Sequence, residues 1–253
     1  MNNQPTAVLI HGLSETRAVW RRQASVLESS LGIISYDIRG FGASPTGAAD
    51  GTVRQMADDL GQLLSAFETG SVWLIGFSMG GVIAQRFALD YPDLVEGLVL
   101  IASSCAVGRG GQEFFKHRIE QVTKGGLESL AKTNDSDARG CFHAANEDLI
   151  AEYIELRVRA VRDPAGYLNA CHAMLDVAEN PLTGKLAAIR CPTLVIAGEH
   201  DPYCPPKASE MIANAIPDAE FTVIEDVGHC MQFEAADHLN GHIVDFISRH
   251  NTA

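Results

Sequence analysis

Short apolar runs alternate along the chain with segments whose apolar residues recur every three to four positions. The runs have the length and β-branched content of buried strands, and the segments between them have the period of amphipathic helices. This alternation is typical of βα units in a parallel sheet. The predicted strands are Ala7–Ile10, Gly32–Ile38, Ser71–Ile75, Leu98–Ala102, Thr193–Ala197 and Glu220–Glu225. The predicted helices are Ala18–Glu28, Val53–Phe67, Gly80–Asp90, Pro206–Ile216 and Asp237–His250.

The alternation stops between Cys105 and Ile189, where the pattern indicates helices and no strand. A structureless loop of that length is uncommon in a compact domain. The sequence therefore predicts an α/β fold with a mostly parallel sheet of about six strands, flanked by helices. Residues 1–104 and 190–253 would form its core, and residues 105–189 would form a helical cap inserted between the fourth and fifth strands.

Composition narrows the possible partners of this chain of 253 residues, 46% of them hydrophobic. The net charge is −13, and no stretch concentrates Lys and Arg, so nucleic acid and anionic membranes are poor partners. The start of the chain lacks a secretory pattern, and no apolar run approaches the roughly 20 residues of a membrane span. We therefore expect a cytoplasmic protein. The six cysteines are scattered without metal-ligand spacing, which favours buried free thiols and predicts no metal site.

One serine stands among glycines between a predicted strand and a predicted helix. The stretch Gly76–Gly80, GFSMG, fits the pattern G-x-S-x-G. In a strand-to-helix turn, small residues two before and two after give the backbone room, and the hydroxyl of Ser78 would stand exposed. The alternative is a glycine-rich turn without chemistry. A phosphate-binding loop is excluded because the lysine that it needs is missing.

A nucleophilic serine needs a base and an acid that orients the base. Asp201 follows the fifth predicted strand and His229 follows the sixth, so both fall at the same carboxyl edge of the sheet as Ser78. The sequence thus predicts a catalytic triad of Ser78, His229 and Asp201. Three other carboxylates, Glu199, Glu225 and Asp226, are rival acids.

An oxyanion hole would complete the site. Its donors should be the backbone N–H of Met79, the residue after the nucleophile, and that of Leu13 in the loop after the first strand. His11 and Gly12 would shape that loop. The predicted pocket wall comprises Ser14 and Trp20, although Trp20 could equally belong to the core, and the cap would add Arg139, Phe142, His143 and Arg157.

At this point the sequence resembles the α/β-hydrolase superfamily over nearly its whole length. The resemblance is carried by LIHG (Leu9–Gly12), DIRGFGAS (Asp37–Ser44), GFSMGG (Gly76–Gly81), PTLVIAGEHD (Pro192–Asp201) and GH (Gly228–His229). Within the superfamily the chain looks most like the 3-oxoadipate enol-lactonase group, through FSMGGVIAQ and the end of the insert. The resemblance implies an α/β-hydrolase fold and a cofactor-free serine hydrolase that cleaves a small carboxylic ester or lactone through an acyl-enzyme.

Other functions use the same residues. A thioesterase or a hydrolase of carbon–carbon bonds would need the same triad. A ligand-binding receptor could keep the scaffold, and in a cofactor-free oxygenase or lyase His229 would act as a base while Ser78 donates a hydrogen bond. For the hydrolase we expect a small-molecule ester or lactone as the partner, no nucleic acid, no membrane, and either a monomer or a homodimer.

Overall fold

A computed structural model describes residues 4–251 and centres on a six-stranded sheet. The strands are β1 (Thr6–Ile10), β2 (Gly32–Ser35), β3 (Val72–Phe77), β4 (Val95–Ile101), β5 (Thr193–Gly198) and β6 (Glu220–Ile224). They lie in the order β2-β1-β3-β4-β5-β6, and all five pairings are parallel. The predicted parallel α/β sheet of about six strands is confirmed.

Helices cover both faces of the sheet and form the insert. The α-helices are α1 (Arg21–Leu27), α2 (Val53–Phe67), α3 (Met79–Asp90), α4 (Arg109–Arg139), α5 (Glu147–Ala160), α6 (Pro164–Glu179), α7 (Pro206–Ala215), α8 (Met231–Glu234) and α9 (Ala236–His250). None of those in residues 4–251 is long and apolar enough to cross a membrane.

The core is divided by the sheet into two apolar clusters. Along β1, Val8 and Ile10 pack into the cluster that contains α2 and α3 residues, while Ala7 and Leu9 pack into the cluster that contains α1 and α9 residues. Successive side chains of a strand point to opposite faces, so a continuous apolar run supplies both clusters. This burial fixes the register of the strands and, with it, the position of the loops at their carboxyl ends.

The insert lies between β4 and β5, as the sequence predicts, and consists of α4, α5 and α6. Gly126, with φ of 55°, interrupts the helical backbone of α4. The finer division of the chain into a core and a cap at residues 105 and 189 stays a prediction.

The ends of several predicted elements differ from the structure. The strand predicted at Gly32–Ile38 ends at Ser35, and the strand predicted from Leu98 begins at Val95. β3 continues through Gly76 and Phe77, two residues beyond the predicted end, because both pair with residues of β4. The helix predicted from Ala18 begins as a 3-10 turn at Arg17–Trp20 and becomes α-helical only at Arg21. The side chain of Thr16 accepts a hydrogen bond from the N–H of Ala18 and fixes that start.

Candidate active site

Ser78 occupies the turn between β3 and α3 in a conformation that few non-glycine residues adopt. Its φ is 52° and its ψ is −119°. The surrounding structure holds this strain: the N–H of Ser78 donates to the carbonyl of Ile101 at 2.9 Å, and its carbonyl accepts from the hydroxyl of Ser103 at 2.9 Å. A strained residue held this firmly is typical of a functional site.

The glycines on either side of Ser78 allow a close approach of backbone segments. A Cβ atom on Gly76 would lie 2.5 Å from the carbonyl oxygen of Gly80. A Cβ atom on Gly80 would lie 2.2 Å from the carbonyl oxygen of Ile10 and 2.6 Å from that of His11. The start of α3 therefore abuts the end of β1, which brings the loop after β1 beside the turn at Ser78.

Two hydrogen bonds join the three residues of the predicted triad. Nδ1 of His229 lies 2.7 Å from Oδ2 of Asp201, and Nε2 of His229 lies 3.1 Å from Oγ of Ser78. The other carboxylate oxygen of Asp201 accepts from the backbone N–H groups of Tyr203 and Cys204 at 2.8 and 2.9 Å. Because an ionised carboxylate only accepts, Nδ1 of His229 carries the hydrogen and Nε2 faces the hydroxyl as an acceptor.

The rival acids lie elsewhere. Oε2 of Glu199 and Oδ1 of Asp226 are 3.6 and 3.9 Å from Nε2 of a different histidine, His200, and Glu225 is exposed. Among Asp201 and these three rival acids, Asp201 is the residue that accepts a hydrogen bond from His229.

The ionisation of His229 reflects two opposing effects. Burial favours the neutral ring and lowers its pKa, but the charge and hydrogen bond of Asp201 outweigh burial and raise the pKa to about 8. Asp201 therefore stabilises the protonated imidazolium that forms whenever His229 accepts a proton. This is the electrostatic arrangement that a general base next to a serine requires.

The two predicted oxyanion donors lie in the segments that meet at Ser78. Met79 is the first residue of α3, where helix N–H groups have no acceptor within the helix. Leu13 follows Gly12 in the loop after β1. Within residues 4–251, neither N–H donates a hydrogen bond to another protein group. Both N–H groups are therefore without a protein acceptor in that part of the chain, as a donor of an oxyanion hole must be.

A buried carboxylate that sequence reasoning missed holds this loop. Oε2 of Glu15 accepts from the N–H of Gly12 at 2.8 Å, and Oε1 accepts from the hydroxyl of Tyr153 in α5 at 2.8 Å. Arg157 in turn donates to the Tyr153 oxygen at 3.4 Å. Burial raises the pKa of Glu15, and the hydrogen bonds from Tyr153 and Gly12 oppose that rise. The only sequence signal is an acidic residue three positions after Gly12.

His11 has the structural role that the sequence favours. Its Nε2 accepts from the N–H of Ile38 at 2.9 Å, so Nδ1 carries the hydrogen that bonds to the carbonyl of Gly12 at 2.8 Å. Burial lowers the pKa of His11 to about 4. The ring therefore stays neutral and fixes the start of the loop that contains Leu13.

Three of the predicted substrate contacts have other partners in the structure. Trp20 is 1% exposed and packs in the core cluster that also contains Val19 and Leu27, so it offers no surface to a substrate. Arg139 is on the protein surface, where it pairs with Asp135 and Glu147. His143 is exposed and stacks on His200. Their residue types suited a pocket, but tertiary packing and surface charges give them other partners.

The remaining predicted contacts, Ser14, Phe142 and Arg157, are buried or partly buried. Ser14 is buried beside Glu15 in the loop after β1, with φ of 60°. Phe142 packs edge-on against Tyr153. Arg157 is largely buried and donates to Asn134 as well as to Tyr153. The structure also places an aromatic ring that the sequence did not indicate, that of Tyr203, 5.3 Å from the ring of His229.

Comparison with known proteins identifies the family. Residues 5–236 match the family model described as the alpha/beta hydrolase fold. The chain therefore belongs to the α/β-hydrolase family, and the sequence resemblance to that superfamily is confirmed.

Individual relatives are similar over almost the whole chain. One is a protein of Pantoea ananatis named for carbamate hydrolysis, RutD, which is 26% identical over 246 residues covering 96% of this chain and 88% of its own length. A thermophilic esterase from Thermogutta terrifontis has a TM-score of 0.85 at 29% identity, covering 98% of this chain and 91% of the esterase. The enol-lactonase from Burkholderia xenovorans LB400 has a TM-score of 0.88 at 26% identity, covering 98% and 92%.

Proposed function

We propose that the protein is a cofactor-free serine hydrolase that cleaves a small carboxylic ester or lactone. The observation that carries this proposal is the continuous hydrogen-bond chain from Asp201 through His229 to Ser78, with distances of 2.7 and 3.1 Å. The chain ends at a strained serine in a strand-to-helix turn, which is the arrangement of an activated nucleophile.

In the proposed reaction, Nε2 of His229 removes the hydroxyl proton while Oγ of Ser78 attacks the carbonyl carbon. The N–H groups of Leu13 and Met79 stabilise the negative charge on the carbonyl oxygen in the tetrahedral intermediate. His229 then gives its proton to the leaving-group oxygen as the acyl-enzyme forms. The alcohol departs when the substrate is an ester, and it stays tethered to the acyl group when the substrate is a lactone. A water molecule deprotonated by the same histidine attacks the acyl-enzyme and releases the acid, with Ser78 restored.

The relatives support hydrolysis by acyl transfer and suggest two types of substrate, oxygen esters and carbamates. Solved structures similar to this chain include an esterase and an enol-lactonase, which supports an oxygen ester. The relatives named for carbamate hydrolysis favour a second candidate, a carbamate, which would pass through a carbamoylated Ser78 by the same steps. The 3-oxoadipate enol-lactone is one candidate substrate among the oxygen esters.

The test is the Ser78→Ala variant. We expect its kcat to fall by about 10⁴-fold or more, because members of a triad act as a unit. Labelling by a serine-directed phosphonate should also disappear, while the circular dichroism spectrum and Tm stay close to those of the wild type. Retained turnover in a folded Ser78→Ala variant would refute the proposed nucleophile.

The reaction class is tested by a substrate panel assayed with wild type and Ser78→Ala. The panel contains small lactones, esters, carbamates, thioesters and a diketone that would report carbon–carbon cleavage. We expect the highest kcat/KM with an ester or lactone. Faster cleavage of the carbamate would select the second candidate, and slow turnover of every substrate alongside tight ligand binding would support a receptor instead.

A further inference from the structure

Three side chains on the surface form a cluster that the proposed reaction does not use. His143, His200 and Asp226 each present one ligand atom, and these atoms all lie within 4.8 Å of one another. The rings of His143 and His200 stack with centroids 3.8 Å apart. A second carboxylate lies beside this group, since Oε2 of Glu199 is 3.6 Å from Nε2 of His200.

The spacing is close to that of a zinc site. Two ligands at Zn–N and Zn–O distances of about 2.0–2.1 Å in a tetrahedral arrangement lie about 3.4 Å apart. The distances from Nε2 of His200 to Glu199 and to Asp226 are 3.6 and 3.9 Å, and the His200, Glu199 and Asp226 side chains are 42%, 47% and 89% exposed. The stacked rings of His143 and His200 must also rotate, because an imidazole nitrogen binds a metal in the plane of its ring. Exposed side chains can make such rotations at little cost.

The chemistry of the cluster also suits a divalent transition metal. Imidazole and carboxylate are ligands that Zn²⁺ takes in proteins. Two neutral histidines with two carboxylates would give the cluster a charge of −2, which a divalent cation would offset. Glu199 is already oriented, since its Oε2 accepts from the backbone N–H of Asp226 at 3.1 Å.

The ligands come from three separate parts of the fold. His143 lies in the segment between α4 and α5 of the insert, and His200 directly precedes Asp201 in the loop after β5. Asp226 lies three residues before His229 in the loop after β6. The backbone holds these segments together, because a Cβ atom on Gly228 would lie 2.7 Å from the N atom of His143.

We propose that His143, His200 and Asp226, with Glu199 as the fourth ligand, form a Zn²⁺-class metal site that ties the insert to the two loops bearing Asp201 and His229. The ion would sit on the outer side of these loops and take no part in bond cleavage. The proposal does not depend on the proposed function, since it concerns binding and stability alone. Sequence spacing predicts no metal site because the ligands are far apart along the chain and contain no cysteine.

The experiment titrates the chelator-treated full chain with Zn²⁺ alone by isothermal titration calorimetry, and measures Tm with and without Zn²⁺. We expect one equivalent to bind. At a free Zn²⁺ concentration of about 100 times Kd, linkage predicts a Tm rise of about 5 °C or more. His143→Ala and His200→Ala should each weaken binding by at least about 10-fold and remove the Tm rise. Asp226→Asn should also weaken Zn²⁺ binding.

The matched control is His242→Ala in α9. His238 and His242 are exposed and one helical turn apart, so they offer Zn²⁺ an alternative pair of ligands. We expect His242→Ala to bind Zn²⁺ like the wild type. Because His143, His200 and His242 are all exposed, the metal-free Tm of every variant should match the wild type.

Three outcomes would overturn the proposal. One is the absence of Zn²⁺ binding by the wild type at millimolar concentration. Another is binding that His242→Ala removes and His200→Ala leaves intact, which would place the ion on α9. The third is wild-type affinity in His143→Ala, which would show that the ion does not join the insert to the two loops.

Discussion

At the scale of single residues, the charge state of His229 sets the pH range in which Ser78 can be activated. Only the neutral ring can accept the hydroxyl proton, and Asp201 raises the pKa of His229 to about 8 against the opposing effect of burial. Below that pH the ring is mostly protonated, so we expect kcat/KM to fall tenfold per pH unit under acidic conditions and to level off above about pH 8. A pH profile of kcat/KM with an uncharged ester measures this.

The control for the pH profile is Asp201→Asn. It removes the charge that favours the imidazolium, so the inflection should move to lower pH while kcat falls by about 10⁴-fold. A wild-type profile that is flat through pH 8, or an inflection that Asp201→Asn leaves in place, would contradict the assignment of His229 as the base.

Glu15 gives a second prediction at this scale. Its carboxylate accepts from the N–H of Gly12, next to the proposed donor Leu13, and from Tyr153 of the insert. In Glu15→Gln one acceptor oxygen becomes an NH₂ group, which cannot satisfy both donors. We expect kcat to fall by about 10- to 100-fold with little change in KM, because a small displacement of an oxyanion donor is felt mainly in the transition state.

Tyr153→Phe is the companion variant, since it keeps the ring and removes the hydroxyl that donates to Glu15 and accepts weakly from Arg157. It should lower kcat less than Glu15→Gln does. If Glu15→Gln changes KM and stability but leaves kcat at the wild-type value, then Glu15 supports folding and does not position the loop.

The residues that the sequence could predict are those whose position follows from chain order. Ser78, Asp201 and His229 each follow a strand of a parallel sheet, so a correct list of strands already places them at one edge. Glu15 could not be found this way, because its role depends on a partner 138 positions away in the insert. The partners of Arg139 and His143 could not be found this way either, since surface groups nearby in space determine where their side chains lie.

At the scale of secondary structure elements, the junction of β1 with α3 determines the geometry of the turn at Ser78. A Cβ atom on Gly80 would lie 2.2 Å from the carbonyl oxygen of Ile10. Gly80→Ala should therefore separate the two elements and lower the free energy of unfolding by about 1–3 kcal/mol, the range typical of overpacking. Activity should fall further than stability predicts, because both proposed oxyanion donors lie at this junction.

The matched control is Gly241→Ala in α9, where an added Cβ has no neighbour within 4 Å. In this helix interior, alanine should raise the free energy of unfolding by roughly 0.5–1 kcal/mol. Urea unfolding with a parallel kcat measurement checks both variants. Equal stability of Gly80→Ala and the wild type would show that the backbone contact is not required.

Periodicity predicts elements better than it predicts their ends. The 3.6-residue pattern of Val53–Phe67 is reproduced in α2, whose start is fixed by Thr52 accepting from the N–H of Gln55. The end of β3 is decided by pairing with β4, which takes in a glycine and an aromatic residue that lie outside the predicted apolar run. Such pairing depends on neighbours that are distant along the chain.

At the scale of the whole molecule, the insert is fastened to the sheet domain at several separate places. Arg22 of α1 forms a two-pronged ion pair with Glu152 of α5 at 2.9 and 2.7 Å, and Tyr153 reaches Glu15. Near the loop after β2, Thr46 donates to Asp163 at 2.8 Å. A cavity of about 510 Å³ opens beside this last contact, lined by residues in the ranges 40–47 and 162–165. These contacts decide how firmly the insert is held against the sheet domain.

A further contact between the insert and the sheet domain gives the last prediction. A Cβ atom on Gly166, near the start of α6, would lie 2.3 Å from the carbonyl oxygen of Gly40 in the loop after β2. Alanine suits a helix better than glycine, so any loss of stability in Gly166→Ala reports this contact. We expect the free energy of unfolding to fall by about 1–3 kcal/mol, and amides of α6 to exchange hydrogen faster while those of β3 keep their protection.

The control for Gly166→Ala is Gly184→Ala, because an added Cβ at that loop position meets nothing within 4 Å. Hydrogen exchange followed by mass spectrometry, together with thermal unfolding, compares the two variants with the wild type. Gly184→Ala should leave α6 unchanged. If Gly166→Ala also leaves the exchange of α6 and the Tm unchanged, the contact with Gly40 does not hold the insert. Removing the charges of the Arg22–Glu152 pair or the hydroxyl of Tyr153 or Thr46 should then loosen it. If α6 alone loosens, the backbone contact at Gly40 controls how tightly α6 is held against the loop after β2.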